Sequence, residues 1–94
     1  MDFLFVNYKT NIMPQRVLNE DWSDYDDRKK KYTDSKFFSC TEPWEVDYLV
    51  RKIIKVYAYS ESRIRAAIGS CCVVIGSNHP RPAFIECVMK RLRS

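Results

Sequence analysis

From residue 42 onward, apolar side chains recur with the period of an α-helix. In "EPWEVDYLVRKIIKVY" the residues Val46, Leu49, Val50, Ile53, Ile54 and Tyr57 stand at i, i+3, i+4, i+7, i+8 and i+11. That spacing lines one face of a helix. Thr41 or Glu42 is placed to cap it, and Pro43 suits the first turn, where a missing N–H costs nothing. The spacing repeats in Ile64, Ala67, Ile68, Cys71, Cys72 and Ile75. Ser60 precedes that stripe as an N-cap and Gly76 follows it as a helix terminator. A third stripe, Phe84, Ile85, Val88, Met89 and Leu92, follows Pro80 and Pro82. The pattern predicts helices near residues 42–57, 61–75 and 81–93, joined by connections short enough to force close packing.

Residues 1–40 lack this period. "FLFVNY" reads as a short strand or apolar arm, and "NEDWSDYDDRKKKYTD" interleaves charge with Trp22, Tyr25 and Tyr32. Asp21 or Ser23 can cap a short helix there, but the expectation is an irregular or partly helical segment whose aromatics dock on the helices. The predicted organisation is an N-terminal arm, 1–40, packed on a mainly α, compact three-helix domain, 41–94, of helix-turn-helix type. Two glycines in 94 residues support the helical reading, since small β folds draw on more turn glycines.

Composition narrows the class. With 46% hydrophobic and 30% charged residues, the chain is expected to fold as one soluble domain. No apolar run approaches the ~20 residues of a membrane span, and the start is a poor signal peptide. The expectations are a cytoplasmic location, no membrane partner and four reduced thiols. The net charge of +4 resides in the C-terminal half: residues 41–94 hold nine basic and five acidic side chains, whereas residues 1–40 hold seven of each.

Candidate chemistry is sparse. Cys71 and Cys72 are adjacent in a helix, about 100° apart around its axis, so they do not bond to each other or share a metal easily. No C-x₂-C pair suggests zinc, and Cys40, Cys87 and His79 are isolated. His79 has neither a nucleophile motif nor a paired carboxylate beside it, so no enzyme, cofactor or metal site is assigned. Opposite the core stripe of the second helix lie Ala66, Gly69, Ser70 and Val73. This small, uncharged face suggests close approach by the N-terminal arm (Phe3, Leu4, Phe5, Val6) or by a second copy of the chain. On the back of the first helix, Trp44, Tyr48, Arg51 and Lys55 either hold down residues 1–40 or contact nucleic acid.

"EPWEVDYLVRKI" followed by "SESRIRAAI" resembles the E-V-x-Y and S-x-x-x-[IL]-R-A-A-[IV] pattern of short bacterial helical domains of unknown function. The resemblance spans about residues 42–68, implies a small helical domain and assigns no active residue. Three functional readings follow. The leading one is a non-enzymatic protein-interaction module of unknown role, with a self-associating, homodimeric variant that would use Ala66, Gly69, Ser70 and Val73 or the arm. The alternative is a helix-turn-helix nucleic-acid-binding protein with Arg63 and Arg65 reading bases and Arg51, Lys52 and Lys55 on phosphates. A metal- or thiol-dependent activity ranks last.

Overall fold

The computed structural model describes residues 14–29, 36–76 and 78–93. Among them the chain is mainly helical. A helical turn, α1, covers residues 14–18, and α2 covers Ser23–Lys29. Strand β1 (Phe37–Ser39) leads into α3 (Pro43–Val56) and α4 (Glu61–Ile75). Strand β2 (Asn78–Pro80) then runs directly into α5 (Arg81–Arg93). The strands pair antiparallel, with Phe38 opposite His79.

Local chemistry explains the helix ends. Ser60 Oγ accepts from the Arg63 N–H at 3.3 Å, and the Gly76 N–H closes α4 onto the Cys72 carbonyl at 3.0 Å. Gly76 has φ +97°, a conformation a Cβ would strain. Pro43 opens α3 after Glu42, whose side chain makes no capping bond. In front of α2, Asp21 Oδ1 accepts from the Ser23 N–H at 2.9 Å, and that bond holds the Asp21 carboxyl below its ordinary range.

The core draws on every described element except β2. Ile64, Ala67, Ile68 and Cys71 of α4 meet Phe84, Ile85, Val88, Met89 and Leu92 of α5 and Leu49, Val50 and Ile53 of α3. Val17, Trp22, Tyr25 and Phe38 belong to the same cluster. Of the two expectations for the arm, its described part follows the partly helical one, with Trp22 and Tyr25 docked in the core. It contributes α1, α2 and also the strand β1, which its sequence pattern does not advertise. Phe3, Leu4, Phe5, Val6 and Tyr32 lie outside the described residues.

Three expectations change. Ile54 falls off the buried stripe of α3 and is exposed, while Glu45 takes a buried place. His79 stands in a strand rather than a loop. The four cysteines are not free thiols: Cys40 pairs with Cys72 and Cys71 with Cys87. Among the described residues no helix is long and apolar enough to cross a membrane.

Candidate functional site

Three features of the surface and interior bear on function. The first is a polar hub between α2, β1 and α3. Glu45 Oε1 accepts from Tyr25 Oη at 2.7 Å, Lys29 Nζ at 3.0 Å and the Ser39 N–H at 2.9 Å. Lys29 Nζ also donates to the Phe37 carbonyl oxygen. Lys29 and Glu45 are only 1% and 2% exposed, so an unpaired charge here would be costly. Burial, and then the bond to Glu45, push the Tyr25 hydroxyl far above the ordinary tyrosine range. The composition of this group is that of an acid–base site, yet its members are sealed from solvent. Its role is to fix α2 and β1 against α3.

Sequence reasoning missed this hub. Glu45 reads as an acidic residue near a helix N-terminus and Lys29 as part of a solvated basic block. Only the packing of α2 across α3 brings them together.

The second feature is an open groove of about 340 Å³ lined by Asp24, Arg28, Trp44, Asp47, Tyr48 and Arg51. Its aromatic floor is tied inward. Trp44 lies 5.3 Å from Tyr25 and Tyr48 lies 5.3 Å from Trp22, centroid to centroid. Tyr48 Oη donates to the Asp21 carbonyl oxygen at 3.1 Å. Arg28 stacks over Trp44 at 4.2 Å, and Lys52 and Arg51 sit 5.2 and 5.8 Å from the Tyr48 ring. These long basic stems lie over rings that hold the N-terminal segment in place.

The five candidate nucleic-acid contacts are thus spread over two helices and carry intramolecular partners. Arg65 bonds Asp47 through Nη2 and Glu61 through Nε, both at 2.8 Å, and these carboxylates raise its pKa. Arg63 donates to the Leu92 carbonyl oxygen at 2.9 Å and lies over Tyr59. Lys55 pairs with Glu20 at 3.2 Å.

The third feature is the outer face of α4. Ala66 and Gly69 are exposed, Ser70 is half-buried, and Val73 and Val74 are 86% and 62% exposed. No charged residue occurs from Ala66 to Ile75. The close approach expected at Gly69 is not seen: among the described residues, nothing beyond its chain neighbours and the adjoining backbone of its own helix lies within 4 Å of where its Cβ would stand. The glycine faces open space, so packing within the described fold does not account for it.

Compared with known proteins, the chain matches no family model, no curated protein and no solved structure.

Proposed function

We propose that this protein is a small non-enzymatic interaction module that associates with a second copy of itself through the outer face of α4. The observation that supports this is the exposure of Val73 and Val74 on a helix whose last ten residues carry no charge. An exposed helix face ordinarily carries Lys and Glu. Gly69 and Ala66 leave room for another helix to approach closely, and an uncharged face meets an uncharged face without stranding a buried charge. We read α3, α4 and α5 as a compact three-helix module of helix-turn-helix type used for packing. The two disulfides favour an oxidising compartment over the reducing cytoplasm.

Sedimentation analysis of the full chain tests this reading. A reversible dimer is expected, with Val73→Lys shifting it to monomer. A wild-type chain that stays monomeric at about 100 µM, weaker than any functional homodimer of ordinary affinity, overturns it.

The nucleic-acid alternative retains the exposure of Arg63 and Arg65 at the start of α4. It requires both guanidiniums to leave their present partners. Binding to mixed-sequence duplex DNA at about 50 mM salt, falling steeply as salt rises, is the result that would favour it.

A further inference from the structure

The two disulfides leave α4 from adjacent positions but in different directions. Cys71 is fully buried in the core cluster and reaches Cys87 on α5, with the Cα atoms 6.1 Å apart. Cys72, one position and about 100° further round the helix, is partly exposed. It reaches Cys40 in the turn after β1, with a Cα separation of 5.9 Å. The inner bond therefore joins two helices that already pack along their apolar stripes. The outer bond joins a helix to a turn, and neither of its residues is fully buried.

A further contact distinguishes the outer bond. Cys40 Sγ lies 3.6 Å from the Gly76 carbonyl oxygen. A disulfide sulfur has no hydrogen to donate, so this approach becomes a hydrogen bond only when Cys40 is a thiol. Cys72 is partly exposed, and Val73 beside it is fully on the surface of α4.

We propose that Cys72 is a thiol-exchange and modification site for a low-molecular-weight thiol such as glutathione. The thiolate of the small thiol attacks Cys72 Sγ, the Cys40–Cys72 bond breaks, and a mixed disulfide forms on Cys72. The electron pair of the broken bond leaves with Cys40, which takes a proton from solvent and donates it in a hydrogen bond to the Gly76 carbonyl. Attack by a second small-thiol thiolate on the mixed disulfide releases Cys72 and the oxidised small thiol. Two small thiols are oxidised and one protein disulfide is reduced, while Cys71–Cys87 keeps α4 on α5. Val73 beside Cys72 belongs to the face proposed for self-association, so the exchange is that of the monomer and is measured on dilute chain.

The test uses the full oxidised chain in mixtures of reduced and oxidised glutathione. Samples are quenched in acid, alkylated, digested and mapped by tandem mass spectrometry, with circular dichroism on parallel samples. The first new species is expected to carry glutathione on Cys72, an alkylated Cys40 and an intact Cys71–Cys87 bond, with unchanged helix content. Cys72 and Cys87 are both partly exposed, but attack at Cys87 expels a thiolate from the fully buried Cys71, so adducts on Cys72 should exceed those on Cys87 by roughly tenfold or more. Opening of Cys71–Cys87 first, glutathione retained on Cys40, or simultaneous loss of both bonds with loss of helix signal each overturns the proposal. The double variant Cys71→Ala/Cys87→Ala should still take up one glutathione on Cys72. The wild-type map decides the matter by itself if that variant does not fold.

Discussion

The two ends of this small core are held by opposite chemistries. Where α2 and β1 meet α3, a buried lysine and glutamate, a tyrosine hydroxyl and backbone groups share one hydrogen-bonded hub under a cluster of aromatic rings. Where α4 meets α5, the contact is apolar and is stapled by Cys71–Cys87, while Cys40–Cys72 ties α4 to the turn after β1. The first region depends on every polar partner being present, because a single loss strands a charge in the interior. The second depends on apolar area and covalent closure, neither of which carries a charge to strand. The contrast separates what makes the N-terminal segment adopt one position from what keeps the helical half together.

The sharpest way to break the comparison is to remove one charge from the hub. Lys29→Met leaves Glu45 buried without its cation and is expected to cost about 3–5 kcal/mol in urea unfolding. Adding Glu45→Leu should restore a substantial part of that loss, because the second change removes the stranded charge. A double variant as destabilised as the sum of its singles would show that the two residues do not act as a pair.

On the stapled side, replacing both cysteines of either bond with alanine should cost about 3 kcal/mol. The Cys40–Cys72 bond spans 32 positions and Cys71–Cys87 spans 16. Chain entropy makes the longer closure worth about 0.6 kcal/mol more. Denaturant midpoints of the two double variants, measured without reductant, check both the size and the order. Equal salt and pH dependence to the parent would confirm that the staples act apart from the hub.

Alkaline pH sharpens the contrast from another side. The Tyr25 hydroxyl holds its proton more tightly in the folded chain than in the unfolded one. Its contribution is therefore fully present below about pH 10, the unfolded tyrosine value, and is lost as pH rises above that point. The loss from this one group is about 1.4 kcal/mol per pH unit. Tyr25→Phe should flatten the decline above pH 10, and a parallel decline in the variant would remove Tyr25 as its source.

Two smaller effects belong to α4. Ser60→Ala removes the cap on the Arg63 N–H and should cost about 1 kcal/mol, read as a lower urea midpoint. Val73→Lys should change monomer stability by less than about 0.5 kcal/mol, because its side chain already lies in solvent. It is nevertheless the substitution expected to abolish self-association, so a stability loss without any change in assembly would count against the α4 face.

The helices of residues 41–94 were legible in the sequence because each supports itself through a periodic apolar stripe and local end signals. Ser60, Gly76 and Pro43 act within a few residues of where they stand, and the stripe of α5 is buried in full. Even the divergence of Cys71 and Cys72 follows from the rotation between adjacent helix positions. The open face of α4 was legible as a composition, though not as a surface free of neighbouring atoms at Gly69.

What the sequence alone could not decide lies in pairings between residues far apart in the chain. Lys29 with Glu45, Arg81 with Asp26, Cys40 with Cys72 and β1 with β2 are each defined by how one element crosses another. A lysine in a basic block and a glutamate in a first helical turn have the same local signals whether they end in water or in the core. The burial of Trp22 and Tyr25 against α3 settles that choice, because it carries Lys29 inward and leaves Glu45 as the carboxylate that meets it. Local periodicity thus determined the helices, while tertiary packing decided which charges and sulfurs became partners, since desolvation and bond geometry operate only once distant segments are in contact.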